Sequence, residues 1–274
     1  MCRVLEVSRG GFYSWLKRPE SRRSIENRRL DARVKALYDG SKKRSGSPKI
    51  TQDLRDEGFA VGKNRVARRM KALGIKSIVR RKYRPTTTDS KHRHPVAENI
   101  VNRDFSASEP DRVWVSDITY IATRQGWLYL AVILDLFSRM VVGWSLSSSL
   151  SAQIALTALG RAIQRRKPRP GLIFHSDRGV QYACEDFRRM LAKNQMVQSM
   201  SRKGDCWDNA VAESFFSILK SELVYTKRFE GPRDTLSAIF EYIEVFYNNQ
   251  RRHSTLGYLS PAKFEQQIKT AVCS

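Results

Sequence analysis

The sequence lacks the features that would place it in a membrane or among disulfide-rich proteins. Its most apolar stretch, Trp127–Leu134, is followed by Asp135 and is far shorter than the roughly 20 residues that span a bilayer. The amino terminus has no apolar segment long enough for a secretory signal. The 4 cysteines are scattered, with no C-x-x-C pair and no histidines at zinc spacing. We therefore expect a cytoplasmic protein without a structural zinc module.

Acidic residues are scarce relative to basic ones. The 274 residues include 50 Lys and Arg but only 27 Asp and Glu, which gives a net charge of +23. With 15 glycines, 9 prolines and 41% hydrophobic residues, the chain has the composition of a folded protein of one large or two modest domains. Such an excess of positive charge repels itself unless a polyanion is bound. Nucleic acid is therefore the first expected partner.

The positive charge is concentrated in the first third of the chain. Residues 1–95 hold 27 of the Lys and Arg residues and only 9 of the Asp and Glu residues. In this region, the spacing of apolar residues predicts helices over 24–38, 47–57 and 63–73. The last two helices are joined by a short turn and form a helix-turn-helix pattern, which DNA-binding proteins use to place a helix in the major groove.

The last of these helices would present a basic face to DNA. Its predicted outward positions are Lys63, Asn64, Arg65, Arg68, Arg69 and Lys71. These side chains suit phosphates and groove edges. A solvated cationic face on a small helical bundle is the alternative interpretation, but the charge of the whole chain favours DNA contact.

Beyond the helical region the pattern changes to strands. We predict a helix-turn-helix region over residues 1–79, a basic linker over 80–110 and a second domain over 111–274 that ends in a helical extension. The order of elements predicted in the second domain is βββαβαβα, which indicates a mixed sheet with helices on its faces. The expected fold class is therefore α/β with an N-terminal all-α domain.

Three acidic residues stand in or beside apolar elements of the second domain. Asp117 lies in a predicted strand, on the same face as Val113 and Val115. Asp177 follows a short buried strand, and Glu213 falls early in an amphipathic helix. Three converging carboxylates repel one another unless a divalent cation compensates their charge. Mg²⁺ is expected because it prefers oxygen ligands, and two such ions about 3.5–4 Å apart would promote phosphoryl transfer.

Four other polar residues near these elements have mostly structural interpretations. Asp135 ends a strand, where a turn-capping role is favoured over an approach to the metal. Asp208 is predicted as the N-cap of the following helix, and Asn209 either faces the site or supports that cap. His175 either orients a phosphate or water or is a hydrogen-bonded structural histidine.

The segments around the three acids resemble those of a known family. The 35 residues between Asp177 and Glu213 resemble the D,D(35)E signature of retroviral integrases and related transposases. More specific similarity lies in residues 114–120, 135–139, 175–179, 208–216 and 247–258. Together these segments look like the OrfB-type transposases of bacterial insertion sequences, the IS-three family. The resemblance extends over nearly the whole chain, including residues 45–50 at the helix-turn-helix.

This resemblance implies an RNase H-like integrase core in which Asp117, Asp177 and Glu213 bind the metal ions and catalyse the reaction. It implies a DNA transposase that cleaves at insertion-sequence ends and transfers the freed 3′-hydroxyl to DNA, with two Mg²⁺ ions or Mn²⁺ in their place. Lys220 matches a basic position that similar transposases use near the DNA backbone, two helical turns beyond Glu213. An ordinary solvated lysine is the alternative.

The resemblance also names partners. Double-stranded DNA, both the terminal repeats and the target, would be bound by a homo-multimer on paired ends. Because the family often joins an upstream reading frame to the catalytic one, an upstream-frame product or fusion is a further expected partner, in the bacterial cytoplasm on nucleoid DNA. Two other functions compete. A nuclease with the same core is disfavoured by the helix-turn-helix, and a DNA-binding regulator that does not cut is disfavoured by the three intact acids.

Overall fold

The computed structural model describes residues 2–78, 95–202 and 206–273. Within it the chain divides into two compact units, Met1–Ile78 and Val79–Ser274. Each unit has an apolar core of its own.

The first unit is helical. Its elements in the described residues are α1 (Arg9–Leu16), α2 (Arg22–Gly40), α3 (Ser47–Asp56) and α4 (Lys63–Ala72). Val34, Ile50 and Val66 are fully buried where α2, α3 and α4 meet. α2 begins earlier than the periodicity predicts because the hydroxyl of Ser21 accepts a hydrogen bond from the Ser24 N–H and caps the helix.

The second unit is built on a mixed sheet. Its described strands are β1 (Val113–Thr123), β2 (Gly126–Asp135), β3 (Val141–Ser147), β4 (Ile173–Ser176) and β5 (Val197–Met200). They lie in the order β3-β2-β1-β4-β5. β1, β2 and β3 pair antiparallel, whereas β4 is parallel to β1 and β5 is parallel to β4. This arrangement confirms the predicted mixed α/β sheet and puts β1 at its centre.

Helices cover both faces of the sheet. The remaining described elements are α5 (Ala152–Arg166), α6 (Val180–Ala183), α7 (Glu185–Lys193), α8 (Ala210–Glu222), α9 (Pro232–Phe240), a π-helix (Glu241–Tyr247) and α10 (Pro261–Cys273), with short 3₁₀ turns between them. The alternation of side chains along β1 separates two cores. Trp114 packs on the side of α5 and α7, and Val115 packs on the side of α8 and the π-helix.

Gly143 permits the close approach of β3 and α5. A Cβ atom at this position would lie 2.5 Å from the carbonyl oxygen of Ala158, inside the backbone of α5. Because that oxygen belongs to a packed helix, it cannot move aside as the end of a flexible side chain would. Glycine is therefore required here for helix–sheet packing.

The predicted linker lies partly outside the described residues, which resume at residue 95. From there the chain runs beside β5. The N–H of Ile100 donates to Ser199 Oγ at 3.0 Å, and the N–H of Met200 donates to the carbonyl of Glu98 at 3.2 Å. Val101 is buried, which gives this segment an apolar anchor.

Candidate active site

Asp117 lies on the face of β1 that turns toward α8, as the alternation with Val115 predicts. Its side chain is half-buried, and its Oδ1 accepts a hydrogen bond from the N–H of Ile118 at 2.7 Å. Burial raises the pKa of the Asp117 carboxyl well above its usual value, and the negative charges of Asp177 and Glu213 raise it further. The hydrogen bond from Ile118 opposes this shift. Charge from two other acids therefore acts on this carboxyl.

Asp177 comes from the neighbouring strand. β4 runs parallel to β1 with His175 beside Val115, so the residue that follows β4 emerges at the carboxyl end of this strand pair, near Asp117. The Oδ1 atom of Asp177 accepts a hydrogen bond from the N–H of Gly179 at 3.0 Å. A Cβ atom at residue 179 would lie 3.0 Å from the same oxygen, so the turn leaves little room for a larger residue.

Glu213 and Lys220 come from α8. Glu213 is exposed in the first turn of the helix, and Lys220 is half-buried seven residues later. Burial lowers the pKa of the Lys220 ammonium, while the charge of Asp117 opposes the change. The positive charge of Lys220 in turn opposes the rise in the pKa of Asp117. A basic side chain thus borders the carboxylates from the helix that carries the third acid.

The chemistry of these donors fits a hard divalent cation, because all three are carboxylates and their mutual repulsion raises the pKa of Asp117. In the parts of the chain that the structure describes, no group of three His, Cys, Asp or Glu side chains is arranged to hold a metal ion. Asp177 and Glu213 thus act electrostatically on Asp117, but the three side chains as they stand are not grouped as ligands of one metal ion.

Asp208 is not the N-cap of α8, which corrects the expectation from sequence. It lies in a 3₁₀ turn, Cys206–Asn209, and its carboxylate is fully buried. Arg202 donates to it from Nε at 3.0 Å and from Nη2 at 2.9 Å, and Asn99 and Arg103 also donate. Hydrogen bonds from Arg202 are the main reason that the pKa of Asp208 lies well below its usual value. This carboxylate binds three segments of chain together immediately before α8.

Asn209 is the N-cap residue of α8, but its side chain makes no capping hydrogen bond. Its Nδ2 atom donates instead to the carbonyl oxygen of Ser116 at 3.1 Å, which ties the start of α8 to β1 one residue before Asp117. The Oδ1 atom is buried and has no hydrogen-bond partner among the described residues. The side chain therefore does not support the cap; it fastens the start of α8 to β1.

His175 is a structural histidine. It is fully buried, with Nδ1 2.8 Å from Ser199 Oγ and Nε2 2.9 Å from the carbonyl oxygen of Asp208. Burial lowers the pKa of its ring. The two contacts join β4 to β5 and to the turn before α8, so His175 supports the strand that precedes Asp177.

Asp135 supports a turn, as the sequence favours. One oxygen of its buried carboxylate accepts from the N–H of Asp111, and the other accepts from the N–H and hydroxyl of Ser138. Burial raises the pKa of Asp135 to about 6, although these hydrogen bonds oppose the shift. These donors lie in the turns that precede β1 and follow β2, so Asp135 holds the two turns at this end of the sheet.

The helix-turn-helix residues separate into two groups. Lys63, Asn64, Arg68 and Lys71 are exposed on α4. The sequence predicts Arg65 and Arg69 on the same outward face, but both side chains reach α2. Arg65 Nη2 lies 3.2 Å from Glu26, and Arg69 Nε lies 2.6 Å from Asp31. The two arginines are one helical turn apart, so they form a row that faces the acids of the adjacent helix.

Comparison with known proteins identifies the family. An integrase core domain model matches residues 107–206, a second integrase core domain model matches residues 213–268, and an HTH-like domain model matches residues 24–83. The transposase InsF for insertion sequence IS3A of Escherichia coli is 42% identical over 269 residues, which cover 97% of this chain and 93% of that protein. The chain belongs to the IS3 family of insertion-sequence transposases.

Other relatives agree with this assignment. A 31 kDa protein of insertion element IS600 from Shigella sonnei is 41% identical over 267 residues, which cover 97% of this transposase and 98% of that protein. Among solved structures, a chain of the simian T-cell lymphotropic virus intasome matches 85% of the transposase and 74% of its own length, with a TM-score of 0.50 and 14% identity. The second likeness concerns the fold and supports an integrase-like core.

These findings confirm the predicted family, the integrase-like α/β core and the HTH-like helical domain, and they assign the protein to DNA transposition. Polynucleotidyl transfer and DNA binding follow from the same domains. Within the described residues, no helix is both long enough and apolar enough to cross a membrane.

Proposed function

We propose that this transposase cleaves DNA at the ends of its insertion sequence and joins the freed 3′-hydroxyl to target DNA, with Asp117, Asp177 and Glu213 as catalytic residues. The convergence of charge on Asp117 carries this proposal. Besides burial, the negative charges of Asp177 and Glu213 raise the pKa of Asp117, and the positive charge of Lys220 opposes this rise. These groups belong to β1, the end of β4 and α8, which supports a shared site built from residues that are far apart in the sequence.

The same three carboxylates would hold two Mg²⁺ ions, for which Mn²⁺ would substitute, since all are hard oxygen ligands. When bound, such ions supply the positive charge that stabilises a phosphate while one P–O bond forms and another breaks. The protein's own contribution is placement. Asp117 is held by the N–H of Ile118, and Asp177 by the N–H of Gly179. Glu213 is brought from a separate helix, which Asn209 ties to β1.

Lys220 is proposed to contact a phosphate of the bound strand. It is half-buried beside Asp117, and the same burial that lowers its pKa strengthens its attraction to a phosphate oxygen. An ammonium at this position would keep the backbone next to the carboxylates while the scissile bond is attacked.

The helical unit is proposed to bind the terminal repeats through the exposed residues Lys63, Asn64, Arg68 and Lys71 of α4. Arg65 and Arg69 would act indirectly, because their partners on α2 hold α4 in position. Because two ends of one element have to be held together before they are joined, we also propose a homo-multimer on paired ends, assembled by this chain or by its fusion to an upstream-frame product.

The test uses a labelled duplex that carries the end of the insertion sequence in which this reading frame lies. The duplex is incubated with target DNA and Mg²⁺, and with the chain alone or fused to the upstream frame. We expect cleaved and strand-joined products with the unmodified protein and neither product with Asp117→Asn, Asp177→Asn or Glu213→Gln. Each carboxylate should also be needed for Mg²⁺ binding, measured by calorimetry.

Glu185→Gln is the matched control, because Glu185 is an exposed helical acid that pairs with Arg189 on the same helix. It should leave both products unchanged. Cleavage without joining would support a nuclease and contradict transposition by this site. Binding without cleavage, unaffected by Asp117→Asn, would favour the DNA-binding regulator.

A further inference from the structure

Ser116 lies immediately before Asp117, one residue beyond the last pair between β1 and β4, and is fully buried. It makes hydrogen bonds in two directions. Its Oγ atom lies 2.9 Å from the hydroxyl oxygen of Tyr182, and its carbonyl oxygen accepts from Asn209 Nδ2 at 3.1 Å. Tyr182 and Asn209 are buried as well, with 1% and 5% of their surfaces exposed. We refer to Tyr182, Ser116 and Asn209 together as the Ser116 bridge.

One end of the Ser116 bridge is fixed to the segment that carries Asp177. The N–H of Gly179 donates to Asp177 Oδ1 at 3.0 Å, and the carbonyl oxygen of Gly179 accepts from the N–H of Tyr182 at 3.0 Å. The ring of Tyr182 packs edge-on against that of Phe187 at 5.4 Å, within the core on the side of α5 and α7. Burial raises the pKa of Tyr182 well above its usual value, and the charges of Asp117 and Asp177 raise it further. Hydrogen bonds and charge thus both connect this phenol with the carboxylates.

The other end of the Ser116 bridge is fixed to α8, the helix that carries Glu213. The carbonyl oxygens of Arg112 and Ser116 point to the same edge of β1, because the two residues are an even number of positions apart. At Arg112 this oxygen accepts from the N–H of Ile173 in β4 at 2.9 Å. At Ser116, beyond the paired part of β4, Asn209 Nδ2 donates to the same edge. Because Asn209 precedes Glu213 by about one helical turn, this bond sets where α8 begins relative to β1.

We propose that Tyr182, Ser116 and Asn209 are positioning residues that set the distances among the three carboxylates. The members of the Ser116 bridge belong to β1, to the short helix after β4 and to the start of α8, which are the three segments that carry or adjoin the acids. Side chains alternate along β1, so Ser116 turns to the face opposite Asp117 and the bridge acts through the backbone. Carboxylates repel one another, and hydrogen bonds between their segments oppose that separation, so that Mg²⁺ has only side chains to draw together. The inference rests on the proposed function for the role of the carboxylates.

The experiment measures the Mg²⁺ affinity of the full chain by calorimetry and its free energy of unfolding in urea. Tyr182→Phe removes the hydroxyl and keeps the ring with its packing. We expect this variant to bind Mg²⁺ about tenfold more weakly, as when a supporting hydrogen bond is lost at a metal site, and Asn209→Ala to lose a similar factor. Both variants release the same residue, Ser116, so the double variant should lose less than the product of the two single losses. Independent sites would multiply. The Tyr182→Phe comparison stands by itself if Asn209→Ala does not fold.

Thr235→Val is the matched control, because it removes a fully buried hydroxyl of the same unit that donates to the carbonyl oxygen of Gly231 at 2.8 Å. It should lower the free energy of unfolding about as much as Tyr182→Phe does and leave the Mg²⁺ affinity unchanged. Unchanged Mg²⁺ affinity in Tyr182→Phe overturns the proposal. An equal loss of affinity in Thr235→Val also overturns it, since general loosening would then explain both, and so do losses that simply multiply in the double variant. Mg²⁺ binding that survives Asp117→Asn would instead refute the proposed function.

Discussion

Two buried carboxylates of the second unit are bound by arginines that differ in their exposure to solvent. Glu222 accepts hydrogen bonds from Arg251 Nε and Nη2 and from the hydroxyl of Tyr242, and both side chains of the ion pair are 9% exposed. Asp208 is fully buried, but the side chain of Arg202, which binds it, is 48% exposed. Because Arg251 is desolvated and Arg202 is hydrated, neutralising Glu222 and neutralising Asp208 should lower the free energy of unfolding by different amounts.

Glu222→Gln leaves the guanidinium of Arg251 buried without its counter-charge, and breaking such a pair costs about 3–5 kcal/mol. Asp208→Asn keeps an oxygen acceptor and leaves the charge of Arg202 in water. Its buried amide nitrogen would replace an oxygen that accepts from N–H donors, and leaving those donors without an acceptor costs about 1–3 kcal/mol. We therefore expect the free energy of unfolding to fall about 2 kcal/mol further in Glu222→Gln than in Asp208→Asn.

Urea unfolding of the full chain tests this order. Tryptophan fluorescence reports mainly on the second unit, which contains 4 of the 5 tryptophans. The double variant Glu222→Leu with Arg251→Met removes both charges and should recover most of the stability lost in Glu222→Gln. An equal or larger loss in Asp208→Asn, or no recovery in the double variant, would refute the assignment of the cost to arginine exposure.

Three further predictions concern packing, DNA binding and pH. Gly143→Ala should lower the free energy of unfolding by about 1–3 kcal/mol, because the added Cβ would enter the backbone of α5. Gly160→Ala should raise it by about 0.5–1 kcal/mol, because the only atom of the described residues near the added Cβ is a side-chain atom at 3.5 Å. Thermal denaturation measures both changes. Arg68→Gln should weaken DNA binding and reduce the slope of log K against log salt concentration by about one ion. Arg69→Gln should mainly lower the melting temperature of the helical unit, because Arg69 binds Asp31. Equal salt slopes for the two variants would contradict this division. Burial lowers the pKa of His175, so the contribution of its neutral ring to stability is present above pH 6.5 and is lost as the pH falls. In urea unfolding, the free energy of unfolding of His175→Asn should therefore decline less over that pH range than that of the unmodified protein.

The secondary structure of the second unit follows closely from local pattern. The alternation of apolar residues predicts β1 to β3 and the side of β1 on which Asp117 lies, because side-chain direction in a strand depends only on position along the chain. The pattern does not predict the short helix at Val180–Ala183, because a single turn is too brief to show helical periodicity.

The partners of charged residues could not be predicted in the same way. Helical spacing predicts Arg65 and Arg69 on the outward face of α4, but their partners lie on α2, 38 to 39 residues away in the sequence. Asp208 has the residue type of an N-cap, yet one of its donors, Arg103, is 105 residues away. No local signal marks such a pairing, because it depends on how separate elements pack.

By itself, the sequence determined the basic character of the chain, the order of its elements, and the three acids with the motifs that identify its family, since each is a property of composition or local spacing. Only the tertiary structure decided which of these groups act on one another. Burial at the centre of the sheet and the packing of α8 bring Asp177, Glu213 and Lys220 within electrostatic reach of Asp117. The physical reason is that Coulomb interactions and desolvation depend on distance and surroundings in space, which position along the chain does not specify.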